Sequence, residues 1–184
     1  MKKPNIILVI ASSLDGRLSF PINKSTHIGS FEDKKVLNDA MSKVDATIFG
    51  SGTLKVHQST FLTKKFINKT KFILKDSQPI SIIAGNPSNF KKEWIYFNQP
   101  IKRWLINSQP QKTAKDLNFD KEFFYTDSWL QTLSDLKKEG IKKIALLGGA
   151  KLIHSFMIEE LIDEIKITIV PKIIGGKDIW LPYK

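Results

Sequence analysis

The residues that could do chemistry here are, first of all, glycines. In Leu146-Leu147-Gly148-Gly149-Ala150-Lys151 an apolar run ends, two glycines follow and a helical pattern begins. Such a pair lets the backbone turn tightly, and the free N–H groups at the helix start favour an anion such as a phosphate. Gly50-Ser51-Gly52-Thr53 repeats the arrangement after another apolar run. Two such turns on one sheet edge would lie where open α/β sheets collect ligands, beyond the C-termini of their strands. Neither has the spacing of a Walker A loop or of a G-x-G-x-x-G fingerprint, so each also reads as an ordinary strand-to-helix turn. His27, His57 and His154 are widely spaced and suggest no metal set. No Ser-His-Asp or paired-carboxylate spacing supports hydrolase chemistry. The chain has no cysteine, which excludes disulfides, thiolate zinc sites and a Cys nucleophile.

The elements that must position these turns follow from periodicity. Ile6 to Ala11 is a continuous, largely β-branched run and reads as a strand buried on both faces. Ser30 reads as an N-cap with Glu32 and Asp33 in the first turn, and Val36, Leu37, Ala40, Met41 and Val44 carry the helix to about Lys43. Ala46 to Phe49, Ile80 to Ala84, Arg103 to Asn107 and Lys143 to Leu147 read as strands closed by turn residues. Ser128 caps a helix with Trp129, Leu130, Leu133 and Leu136 inward, and Gly140 ends it. Leu152, Ile153, Phe156 and Met157 form one face of a further helix, and Ile165, Ile167 and Ile169 alternate with Lys166 and Thr168 as a last strand. The four Trp read mainly as core. Alternating strands and helices predict one α/β domain over 1–184, in three layers around a mostly parallel sheet.

Length and charge narrow the partners. A chain of 184 residues that is 41% hydrophobic can build one sizeable core. No apolar run reaches the ~18 residues of a membrane span, so no membrane partner is expected, and the composition suits the cytoplasm. The formal charge of +11 favours an anionic partner, and its densest part, Ala46 to Lys75, holds six Lys and no Asp or Glu. The window has no clear pattern and reads as an exposed loop with a short helix.

Taken together, several stretches resemble the reductase domain of riboflavin biosynthesis, the C-terminal half of the bifunctional pyrimidine deaminase–reductase. They are Ala11-Ser12-Ser13-Leu14-Asp15-Gly16-Arg17, Ser25-Thr26-His27-Ile28, Asp45 to Thr53, Leu62-Thr63, Gly148 to Leu152, Leu161-Ile162-Asp163-Glu164 and Pro171 to Gly175. The resemblance implies a dihydrofolate-reductase-like fold and an NADPH-dependent oxidoreductase. Its reaction would reduce 5-amino-6-(5-phosphoribosylamino)uracil or a close relative, with hydride delivered to C1′ of the ribose. By correspondence of motifs, Ala11, His27, Gly52, Thr53, His57, Asn86 and Gly148, Gly149, Ala150, Lys151 and Leu152, with the helix start running on to Ser155, would line the cofactor. Ser25, Leu62 and Lys64 or Lys65 would face the phosphorylated substrate. The catalytic residue is left open, no metal is implied, and a homodimer is expected.

The departures bear on substrate. Met41 stands where the family carries a basic residue, Leu147 where it carries an acidic one, Val9 where bacterial bifunctional members carry Lys, and a carboxylate usual after G-x-G-T is replaced around His57. This pattern keeps open the same fold acting on a different pteridine- or pyrimidine-like substrate. A third alternative is a basic binding protein without catalysis, although the overlap of the lysines with the G-S-G-T turn makes a nucleic-acid footprint the weaker reading. The family fold continues with strand material past Gly176, so the expectation is either that C-terminal strand material is missing from this chain or that the sheet leaves an edge that a partner subunit covers.

Overall fold

The structure, a computed structural model, describes residues 2–19, 29–66, 72–109, 116–176 and 179–181. Ser25 and His27 fall outside these residues. Seven strands form the main sheet: β1 (Asn5–Ser13), β2 (Ala46–Gly50), β5 (Ile80–Ala84), β6 (Arg103–Asn107), β7 (Lys121–Phe124), β8 (Lys143–Leu146) and β9 (Glu164–Val170). Their order is β7-β6-β5-β2-β8-β1-β9, and every neighbouring pair is parallel. Strand β8 enters between β1 and β2, so chain order and sheet order part company at the centre, where ligands of open α/β sheets bind.

Parallel strands must be covered on both faces, and the sequence supplies two sets of helices. On one face, α4 (Trp129–Lys138) and α5 (Ala150–Ile158) bury Leu133, Leu136, Ile153 and Phe156 against Ile6, Leu8, Ile48, Ile82 and Ile144. On the other, α1 (Phe31–Met41) lays Ala40 and Leu37 over Ile7 and Val9. There too α2 (Ser51–His57) and the short α3 (Ile95–Asn98) bring Leu54 and Tyr96 against Phe49, Ile83 and Leu105. Each such side chain, taken fully out of water, contributes about 1.5–3 kcal/mol. Tyr96 carries its hydroxyl into this core and donates to Ser81 Oγ at 3.0 Å, and burial raises its pKa above the ordinary tyrosine value.

The helix starts differ in how their free N–H groups are met. Ser30 Oγ accepts from Asp33 N at 3.3 Å at the start of α1. At α4, Ser128 Oγ accepts from Leu130 N, and Glu159 reaches across from the end of α5 to accept from Trp129 N at 2.9 Å. The start of α5 has Gly149 as its cap and no side-chain acceptor.

Three expectations are corrected. The short helix expected in the basic window is α2, but the stretch after it, expected as exposed loop, holds an antiparallel hairpin of β3 (Lys64–Phe66) and β4 (Phe72–Leu74). Asn38 on α1 grips the hairpin like a strand edge, its amide donating to Lys64 O at 2.9 Å while its oxygen accepts from Lys64 N at 2.6 Å. Strand β7 and helix α3 lie where no periodic signal was read. In β9 the isoleucine face is the more exposed one, with Ile165, Ile167 and Ile169 at 47%, 38% and 58%. They continue the row of Leu8, Ile10 and Ser12 on β1, but β9 is the sheet margin, and neither α4 nor α5 makes a substantial contact with it.

Candidate functional site

A cavity of about 860 Å³ runs along the C-terminal ends of β1, β8, β2, β5 and β6. Five neighbouring strands at about 4.8 Å spacing make a trough about 19 Å long, suited to an extended ligand. Its centre is built by both glycine turns. Leu147 N donates to Ile48 O at 2.9 Å and Gly50 N to Gly148 O at 3.4 Å, so the ladder between β2 and β8 carries on until Gly149 lies beside Thr53. Gly149 has φ +89° and ψ 103°, a conformation closed to other residues without strain, and an added Cβ would stand 3.3 Å from Thr53 Oγ1. The absence of a side chain leaves the uncapped N-terminus of α5 open to the trough, with its dipole favouring an anion.

Gly85 closes the next wall. At φ +130°, an added Cβ would come within 2.5 Å of Ser51 Oγ, so only glycine lets the end of β5 pass the start of α2. Asn86 follows on the trough rim. Beyond it, Asn107 (2% exposed) holds the turn after β6 by accepting from Ser108 N at 2.8 Å. On the far side Trp129 lines the trough, donates from Nε1 to Ser155 Oγ at 3.0 Å and meets the Tyr125 and Phe156 rings in tilted contacts. The other end, at β1, is apolar, with Val9, Leu37 and Leu147 packed together.

All ten described residues expected around a cofactor line this one cavity: Ala11, Gly52, Thr53, His57, Asn86, Gly148, Gly149, Ala150, Lys151 and Leu152. Ser155 does so too. Leu62, Lys64 and Lys65 do not; they belong to the hairpin side, where Asn38 fixes the Lys64 backbone and the Lys64 ammonium lies 5.7 Å from the Phe61 ring centroid. Met41 also lies elsewhere. It is 1% exposed and borders a separate hollow with Ser42, Asp45 and Gln78, so its apolar side chain takes no polar group from the trough, whereas Val9 and Leu147 do form its wall.

Sequence reasoning missed Asp33, Asn107, Ser108, Tyr125 and Trp129, all of them in the lining. The rule that ligands gather at strand C-termini would have found Asn107, which ends β6, and Ser108, which follows it. Trp129 read correctly as buried (7% exposed) and yet forms part of the wall.

An Archaeoglobus fulgidus protein named 2,5-diamino-6-ribosylamino-4(3H)-pyrimidinone 5′-phosphate reductase is 23% identical over 187 residues, covering 96% of this chain and 84% of its own. Among solved structures, Acinetobacter baumannii RibD matches with TM-score 0.79 and 20% identity over 95% of this chain and 48% of its own. A Thermotoga maritima structure, of a diaminohydroxyphosphoribosylaminopyrimidine deaminase/5-amino-6-(5-phosphoribosylamino)uracil reductase, matches with TM-score 0.78 and 18% identity over 97% and 48%. This chain thus spans about half of each of those two longer proteins, and both likenesses are of the dihydrofolate-reductase-like fold. The family model for the RibD C-terminal domain matches residues 4–181, and the chain belongs to that family.

Proposed function

We propose that this domain is an NADPH-dependent reductase of a ribosylamino-pyrimidine 5′-phosphate, converting the ribosylamino group to ribitylamino. The observation that carries the reading is the trough itself: five strand ends long, with the uncapped start of α5 at its middle. The names of the relatives and the family match support the same reaction class.

The residues fit a dinucleotide. Gly148, Gly149 and Ala150, with Gly52 and Thr53 opposite, would hold the pyrophosphate. Asn86 and Ser108 would meet the adenosine half, and Ala11, Val9 and Leu147 the nicotinamide. Lys151, the one lysine of the described lining, would draw the added 2′-phosphate and favour NADPH over NADH. A bound nicotinamide supplies a hydride to C1′ of the opened ribose while the former ring oxygen takes a proton. The chain contributes position: its apolar wall excludes water beside the sugar carbon and its turns fix the two partners in line. Lys64 and Lys65 lie outside the lining, and a role for either at the 5′-phosphate belongs to this proposal.

The working form is a homodimer in the cytoplasm. Support for the dimer comes from β9: an antiparallel pairing centred on Ile167 sets Ile165 against Ile169 of the partner subunit and opposes no like charges. Among the described residues, no helix is long and apolar enough to cross a membrane. A second reading, the same chemistry on a less polar carbonyl or imine, is favoured by Val9 and Leu147 in the wall.

Titration with NADPH and NADH, followed through the tryptophan fluorescence to which Trp129 in the lining contributes, tests the cofactor site. Incubation with the ribosylamino-pyrimidine phosphates then separates the two readings. NADPH binding without turnover moves the assignment to the second. Steeply salt-dependent binding of nucleic acid with no NADPH binding overturns both.

A further inference from the structure

We infer that Asp33 reads the C2 substituent of the pyrimidine and selects the 2-amino over the 2-oxo ring, an inference that rests on the reductase reading above. The relatives' names differ at this atom: a 2,5-diamino-pyrimidinone in one, a uracil in the other.

Among the described residues, Asp33 is the only carboxylate in the trough lining. It stands in the first turn of α1, one turn before Leu37, which packs on Val9 and Leu147, so the charged group crowns the apolar end of the trough. Among the described residues, that end offers the ring no other anionic acceptor. The carboxylate lies folded over Gly29, where any Cβ would fall 2.0 Å from its Oδ2, so a glycine at 29 is what gives it room at the rim. Ser30 Oγ meets the Asp33 backbone N–H, while the carboxylate forms no ion pair among the described residues.

A 2-aminopyrimidin-4(3H)-one presents two parallel donors on one edge, the N3–H and an exocyclic N–H. A carboxylate accepts both in a fork. In the uracil the exocyclic donor is replaced by a carbonyl oxygen, which would face a carboxylate oxygen with no proton between them. A site that loses one polar partner and gains a repulsion discriminates strongly. An amide at position 33 would instead offer one acceptor and one donor, matching the N3–H and O2 of the uracil.

The test uses the full chain saturated with NADP⁺ and two ring probes, 2,5,6-triaminopyrimidin-4-one and 5,6-diaminouracil, by calorimetry on wild type and Asp33→Asn. The expected result is a preference of about tenfold or more for the triamino ring in wild type. It is erased or reversed in Asp33→Asn, with NADP⁺ affinity unchanged and the helical circular dichroism retained. A ratio that Asp33→Asn leaves unmoved, a wild-type preference for the uracil, or no binding of either ring overturns the inference. Turnover of the two ribosylamino phosphates keeps the two claims apart. Absent turnover with the ring preference intact removes the ribosylamino-pyrimidine phosphates as substrates and leaves the Asp33 assignment supported. Turnover with no ring preference does the reverse.

Discussion

Replacing Gly149 separates the backbone's part in the site from its electrostatics. Gly149→Ala forces a Cβ into φ +89° and ψ 103° and places it 3.3 Å from Thr53 Oγ1. The strain costs about 1–3 kcal/mol of stability. For a chain of this length each 1 kcal/mol lowers Tm by about 2–4 °C. Gly149→Asp carries the same strain and adds a carboxylate at the start of α5. Against one phosphate charge about 5 Å away, an effective dielectric of about 20 gives a repulsion of about 3 kcal/mol. The trough is open, so about half survives screening. That corresponds to roughly a tenfold weaker NADPH affinity for Asp than for Ala. Calorimetry with NADPH on both variants, at low and moderate salt, provides the assay. The expectation is a Tm loss no larger for Asp than for Ala, because its carboxylate meets the free N–H groups of α5, with a tenfold gap in Kd that narrows as salt rises. Equal Kd values for the two variants would refute an anion at this helix start, whatever the enzyme turns over.

Lys151→Gln should weaken NADPH by about threefold to fivefold and NADH less, since an exposed cation contributes about 1 kcal/mol at most; equal losses for both cofactors would place the 2′-phosphate elsewhere. Ile167→Lys puts two like charges on the axis of the β9 pairing, and sedimentation should show the dimer mass of wild type reduced to that of one chain; an unchanged mass, or a monomeric wild type, removes that interface. Asp15 accepts from Ser13 Oγ at 2.6 Å, Ile174 N at 3.1 Å and Gly175 N at 2.7 Å, and these bonds hold its carboxyl well below the ordinary value of 3.8. A depressed folded pKa stabilises above the unfolded value and is lost as pH falls through and below it. Asp15→Asn should therefore lower Tm at neutral pH and flatten the acid limb of the Tm–pH curve; an acid limb unchanged from wild type would contradict the clip.

Strands were legible wherever a run is buried on both faces. Ile6 to Ile10 and Ala46 to Phe49 need no partner in view to be read, because apolarity without alternation already implies cover on each side. The glycine turns were legible because a Gly-Gly pair between an apolar run and a helical pattern marks a tight turn, and the structure gives both glycines positive φ. The rest depends on distance in space. Met41 lies on α1 like Asp33, but two turns further along, and the turn decides which end of the sheet each reaches: Asp33 at the trough, Met41 at the opposite hollow. Lys64 and Lys65 fall in a dense run of charge, yet Asn38 holds their strand away from the lining, a contact across 26 residues that no local pattern foretells. Alternation in β9 was visible from Ile165 to Ile169, but which face meets water depends on β9 standing at the margin.

The central claim is that the trough over β1, β8, β2, β5 and β6 seats NADPH against a ribosylamino-pyrimidine phosphate. One reaction tests it directly. The purified protein is mixed with NADPH and 2,5-diamino-6-ribosylamino-4(3H)-pyrimidinone 5′-phosphate, while absorbance at the nicotinamide band and product mass are followed together. The account predicts one NADPH consumed for each product formed, with two hydrogens gained and the 5′-phosphate retained. No consumption, and no NADPH binding at near-millimolar concentration, would contradict it.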